Sequence, residues 1–198
     1  MVAVAHSEAA TLSQLLGRSD CTQPQLAAHL DRLDAAARLA ECRALSGKEQ
    51  KRLWEVCAGA PAFTAEDLVP SSLGEGKQVI WGGKNSLPLF QIFEKRFIRH
   101  EGQLVGYNKQ STSWVTGPGY FVMVPSPHAA NEMRVDYTQV PKTTPAGWPE
   151  VKPNDRGFSN LVYKNLYDYL RRVSQHVCIG SATRLDKPMD SYFVLARE

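Results

Sequence analysis

Residues 79–90 read VIWGGKNSLPLF, a tryptophan, two glycines and a lysine set directly in front of an apolar run. Two readings compete for this stretch. A phosphate-cradling loop of the Walker type has the form G-x-x-x-x-G-K-[ST], whose backbone amides wrap phosphates while the hydroxyl reaches a metal ion. Here Lys84 is followed by Asn85, Gly76 stands at the wrong distance upstream, and no helical pattern follows. The context for nucleotide binding is missing. The second reading is structural. Gly82 and Gly83 permit a tight bend or bulge, and Trp81 supplies a large lid for one end of a barrel core.

Working downstream, strand signals dominate. Residues 90–99 carry Phe, Ile and Val at strand density, His100-Glu101-Gly102 is a turn signal, and Gln103 to Gln110 returns as the partner. Trp114-Val115 and Tyr120 to Val124 follow, divided by Thr116-Gly117-Pro118-Gly119, and Met133 to Tyr137 alternates with period two. A loop over 141–155 carries four prolines and Trp148, which fits an ordered surface excursion. Leu161 to Tyr163 reads as a strand and Asn165 to Val173 as one short helix. His176 to Thr183 and Ser191 to Arg197 close the chain as strands. Seven or eight short strands with one helix near the C-terminus predict an antiparallel barrel or strongly curved sheet.

Upstream, the first third reads helical. Thr22 with Pro24 opens one helix and residues 35–45 are Ala-rich. Ser46-Gly47-Lys48-Glu49 has the capping-box form, launching a helix with Leu53, Trp54 and Cys57 available for burial. The fold class is therefore α+β: a helical segment over 1–70, then an antiparallel β domain over 71–198.

Bulk properties narrow the function classes. The 198 residues carry a net charge of +3, with 43% hydrophobic and 22% charged residues. Such a balance makes no demand for a polyanionic partner, and acidic residues interrupt the basic surface that nucleic-acid binding requires. No apolar run approaches the roughly 20 residues needed to span a bilayer. The N-terminus lacks a basic n-region and a sustained apolar h-region, so no secretory signal is expected. Cys21, Cys42, Cys57 and Cys178 form no C-x-x-C pair and, like the five histidines, are too scattered for a metal site. Reduced thiols in a cytoplasmic protein are expected, without metal or cofactor.

Trp81-x-Gly83-Lys84 resembles the core of the Gly-x-Trp-x-Gly motif of small lipocalin-like proteins of unknown function, with Val79 where the first glycine of that motif stands. Asp168-x-x-Arg171-x-Val173, Ile179-Gly180 and Tyr192-Phe193-x-Leu195 are similar to the terminal helix and last two strands of those proteins. The resemblance covers about residues 79–198 and implies a small lipocalin-like barrel with an internal ligand cavity. It brings no catalytic residues.

Alternation divides the charged segment that follows: Glu94, Arg96 and Ile98 share one side, Lys95, Phe97 and Arg99 the other. A lumen-facing Glu94 and Arg96 would bind a polar head group; on a solvated face they would be ion pairs. Asp168 and Arg171 at i, i+3 suit an intrahelical pair, unless Arg171 turns inward to an anionic ligand or pins the helix to the barrel rim. An enzyme would require His100, Asp136 and His176 to converge. The preferred reading is a binding protein for a small apolar or amphipathic ligand, held in an aromatic-lined cavity by one or two polar anchors. Its candidate ligand residues are Trp81, Arg96, Tyr107, Trp114, Tyr137 and Arg171. The alternative is a structural or interaction module with a filled barrel, with a homodimer forming through the Ala-rich N-terminal helices.

Overall fold

A computed structural model describes residues 10–88, 91–110, 117–154, 160 and 163–198. Five helices come first: α1 (Leu12–Leu16), α2 (Gln23–Leu30), α3 (Ala35–Ala44), α4 (Gly47–Val56) and α5 (Ala65–Leu68). A 3₁₀ turn at Ser71–Leu73 leads into eight strands, β1 (Val79–Asn85), β2 (Ile92–His100), β3 (Gln103–Lys109), β4 (Phe121–Pro125), β5 (Met133–Asp136), β6 (Leu166–Arg172), β7 (Val177–Arg184) and β8 (Lys187–Arg197). Each strand pairs antiparallel with the next, and β1 pairs with β8, so the sheet closes on itself as an up-and-down barrel. Closure removes every free sheet edge.

Helix starts follow their side-chain chemistry. The Ser46 amide donates to Glu49 Oε2 at 2.7 Å and the Glu49 amide donates to Ser46 Oγ at 3.3 Å, which completes the capping box of α4. Leu12, Leu16, Leu26, Leu30, Leu45 and Leu53 pack with Val177, Ile179, Val194 and Ala196 from the outer face of β7 and β8. The N-terminal third thus covers one outer side of the barrel. Gly82 lies beneath α3: a Cβ there would stand 3.0 Å from Leu39 Cδ1 and 3.2 Å from an Arg43 nitrogen. Gly82 and Gly83 form no bend. They sit mid-strand in β1, where their missing side chains allow close packing on both faces.

One barrel end is plugged. Phe63, Leu68 and Val69 enter the lumen core together with Trp81, whose Nε1 donates to the Leu68 carbonyl at 3.2 Å. Arg99 donates twice to the Val69 carbonyl, at 2.9 and 2.7 Å, and Arg172 pairs with Asp67 at 2.6 Å. The opposite end is the mouth, crossed by the long β5–β6 connection. Asn154 Nδ2 donates to the Tyr120 and Tyr137 carbonyls at 2.6 and 2.8 Å and ties that connection down.

A further sequence expectation changes. Residues 166–172, expected in a helix, form β6, bridging β5 and β7; the tertiary demand for closure overrides the 3.6-residue pattern. Helical residues near the C-terminus, Asn160 and Tyr163, precede it, and the Lys164 amide donates to the Asn160 carbonyl at 3.2 Å. The expected strand at Trp114-Val115 lies outside the described residues, as do Leu161 and Val162 of the strand expected over Leu161 to Tyr163, whose last residue is helical instead.

Glycines on the lumen wall give large rings their room. Gly106 stands opposite Phe121 and Gly180 opposite Phe193, and a Cβ on either glycine would overlap its partner's ring. Gly180→Ala is expected to lower stability by about 1–3 kcal/mol through overpacking. Gly59→Ala, where a Cβ meets nothing within 4 Å, should stay within about 0.5 kcal/mol. Urea unfolding of the two variants checks the difference.

Candidate functional site

The site is built by strand alternation. Phe93, Lys95 and Phe97 of β2 share the face that points into the lumen. In an eight-membered ring β2 and β6 stand diametrically opposite, and so do β4 and β8. Lys95 from β2 reaches Asp168 of β6 across the lumen, and Phe121 of β4 and Phe193 of β8 close in from the other two sides. Lys95 Nζ lies 4.9 Å from the Phe121 ring centre, 5.0 Å from Phe193 and 5.1 Å from Tyr137. These distances fall within cation–π range.

All three ammonium protons of Lys95 have acceptors. Nζ donates to Asn108 Oδ1 at 2.9 Å, to the Tyr137 hydroxyl at 2.5 Å and to Asp168 Oδ2 at 3.1 Å. The Tyr137 hydroxyl in turn donates to Asp168 Oδ2 at 2.9 Å and accepts from Asn108 Nδ2 at 3.1 Å. Asn108 is the direct cross-strand partner of Lys95, and Asp168 is the partner of Val135, two residues before Tyr137. Register alone therefore brings the tetrad together.

Burial governs its electrostatics. Lys95 is only 2% exposed. Desolvation pulls its pKa below the ordinary 10.5, and the Asp168 carboxylate pulls the other way with smaller effect. Burial, reinforced by the nearby Asp168 charge, pushes the Tyr137 phenol well above its ordinary range. Cys178, also buried in the lumen core, has its thiol pushed up by desolvation. It is thus held as an inert thiol.

At the mouth, a pocket of about 270 Å³ is lined by Tyr137, Thr138, Val140, Asn154, Tyr163 and Asn165, among others. The Tyr163 ring stacks on Tyr137 at 5.1 Å. Gly119 makes this possible: its φ of 59° is left-handed, and a Cβ there would overlap the Tyr163 ring. Tyr137 therefore lines the mouth pocket and has its hydroxyl in the tetrad. A larger recess of about 500 Å³ opens near the plugged end, beside Leu104, Met123 and Met133. It adjoins the short β3–β4 ladder, where Val105 pairs with Val122 and Gly106 with Phe121.

The six candidate ligand residues from the sequence are dispersed. Tyr137 is in the tetrad, and Trp81 is in the lumen but at the plugged end, edge-on to Phe63. Tyr107 is on the outer wall, packed at 4.7 Å on Trp148 and at 5.6 Å on Tyr120. Arg96 is also on the outer wall and pairs with Glu94 at 2.7 Å. Arg171 grips the helical layer: it donates to Glu132 at 2.7 Å and to the Trp54 carbonyl at 2.8 Å, 3.6 Å above the Trp54 ring. Trp114 lies outside the described residues. Nor do the acid/base candidates converge, since Asp136 accepts from Thr138 and Gln139, His100 meets Thr143, and His176 meets Arg197.

Lys95, Asn108 and Asp168 are site residues that the sequence did not single out as ligand candidates. Their signal was present as single polar positions at period two within apolar sets, Phe93-x-Lys95-x-Phe97 and Leu166-x-Asp168-x-Leu170. All four cysteines are free, and no group of three His, Cys, Asp or Glu able to hold a metal occurs among the described residues. No described helix is long and apolar enough to cross a membrane. Fold and site together define a closed eight-stranded up-and-down barrel with a lysine buried at its centre. No protein-family model, curated protein or solved structure matches this chain.

Removing one member of a buried pair strands the other charge. Lys95→Met is expected to cost about 3–5 kcal/mol, whereas Lys95→Met with Asp168→Leu recovers most of that loss. The depressed Lys95 pKa also sets a pH dependence. Between that value and 10.5 the unfolded chain binds more protons than the folded one, so stability rises with pH across this window. The double variant lacks the lysine's contribution to that rise, which urea titrations at a series of pH values will read.

Proposed function

We propose that the barrel is a small-molecule binding protein whose ligand enters the mouth pocket and presents a hydrogen-bonding oxygen to the Lys95 tetrad. The observation that carries this reading is the double position of Tyr137, which lines the pocket while its hydroxyl is bonded to Lys95 and Asp168. Such placement is the usual composition of a small-ligand site, apolar walls with a few convergent polar groups.

The tetrad indicates the ligand's chemistry. Lys95 and Asp168 balance each other in charge, so the site exerts no net pull on an anion. A neutral, flat, largely apolar molecule with a carbonyl or hydroxyl fits the rings, and on binding its oxygen replaces one of the hydrogen bonds within the tetrad. The pocket of about 270 Å³ lies just below the range typical of drug-sized ligands, which selects a smaller one. Leu87, Ile92, Leu185 and Met189 are exposed on the two hairpins at this end and give the mouth an apolar rim suited to an amphipathic ligand. The closed barrel and its buried aromatic rings also support the lipocalin-like resemblance. Four free cysteines accord with a reducing, cytoplasmic setting.

A filled barrel serving as an interaction scaffold is the second reading. It is favoured by the rings of Phe121 and Phe193, which occupy the lumen over their glycines, and by Ala35, Ala36, Ala40 and Ala44, exposed on α3, where a second copy could pack. Native and denaturing mass spectra of gently purified protein separate the two. A small neutral molecule carried by the native monomer and lost on denaturation is the expected result. A ligand-free dimer would support the scaffold instead.

A further inference from the structure

We propose that Lys95 is a nucleophilic amine that condenses reversibly with the carbonyl carbon of an aldehyde or ketone admitted through the mouth, forming an iminium inside the barrel. This deepens the binding reading and rests on it. Hydrogen bonding alone does not call for a lysine here, because the Asn108 amide already bonds the Tyr137 hydroxyl and that hydroxyl already bonds Asp168. A lysine adds a primary amine, and its surroundings suit that amine's chemistry.

The steps balance without an added oxidant or reductant. The Lys95 ammonium passes a proton to Asp168 Oδ2, 3.1 Å away, and the free amine attacks the carbonyl carbon. As the new C–N bond forms, the carbonyl oxygen takes the Tyr137 hydroxyl proton. Asp168 restores that proton across 2.9 Å, and the carbinolamine results. A second proton, from the carbinolamine nitrogen, travels by the same route to the hydroxyl, the C–O bond breaks, and one water leaves. Lysine ammonium plus carbonyl gives iminium plus water, so the net charge of the lumen is unchanged.

That charge balance is the strongest physical support. An iminium on Lys95 keeps a cation facing the Asp168 carboxylate, as the ammonium does now. The rings of Phe121, Phe193 and Tyr137, which flank Nζ at 4.9–5.1 Å, would flank the iminium as well. Desolvation favours the neutral amine needed for attack, as in other lysines activated by burial. Tyr137, held protonated by burial, is the acid.

The test uses benzaldehyde with sodium cyanoborohydride, and benzyl alcohol as the matched ligand that cannot condense. The full chain is labelled at neutral pH and its lysines are mapped by peptide mass spectrometry. In parallel, benzyl alcohol is titrated while the amide resonances of Thr138 and Asn165 are followed by NMR. We expect benzyl alcohol to shift those resonances and Lys95 to be the first lysine benzylated. Labelling at that position should be lost in the Lys95→Met/Asp168→Leu pair, which leaves no lone buried charge, and slowed on the order of 10²-fold in Tyr137→Phe. If benzyl alcohol binds at the mouth while only exposed lysines are labelled, the condensation is overturned and the binding reading stands. If benzyl alcohol leaves the mouth resonances unmoved and Lys95 stays unlabelled, both fail.

Discussion

The ion pair between Lys95 and Asp168 spans the lumen from β2 to β6, and the rest of the barrel's interior is arranged around it. Two charges removed from water cost several kcal/mol each, and only good geometry and full hydrogen bonding offset that. Asn108 and Tyr137 complete the set of acceptors. The aromatic rings then fill what space remains. For Phe121 and Phe193 to reach the centre, the facing wall positions must lack side chains, and Gly106 and Gly180 occupy them. Polar centre, ring shell and glycine wall are three consequences of one buried charge.

The two barrel ends are treated differently. Arginines from β2 and β6 bind the backbone or the acidic side chain of the plug, and Trp81 caps the core beneath it. The mouth has instead a pocket, an apolar rim and a tyrosine that touches both pocket and tetrad. The helical layer lies to one side of the barrel, since its core packs on the outer face of β7 and β8 and Arg171 locks α4 there. That asymmetry supports the proposed small-molecule site at the mouth.

Much of this was legible in the sequence and some was not. Period-two patterning located the strands, and Ser46 with Glu49 announced the start of α4. The division of residues 94–99 into two faces was also visible. Which face met the lumen was not, because each face carries an apolar residue and an arginine, Phe97 with Arg99 on one and Ile98 with Arg96 on the other. The segment 165–173 has Leu166, Tyr167 and Leu170 on one helical face; closure of the barrel, a long-range constraint, decides 166–172 as strand. With β6 read as a helix, Asp168 looked like the partner of Arg171. In a strand the two point to opposite faces, one to Lys95 and the other to Trp54. The tetrad stayed hidden because its members come from four separate segments that only the register joins.

The most direct measurement is the titration of the Lys95 side chain by NMR, with lysine labelled at Cε and the resonance assigned through the Lys95→Met/Asp168→Leu pair. A lysine enclosed by aromatic rings and deprived of water should show a ring-shifted Cε resonance and titrate below 10.5. A Lys95 that resonates and titrates together with the exposed lysines would contradict the buried tetrad on which fold, site and proposed chemistry depend.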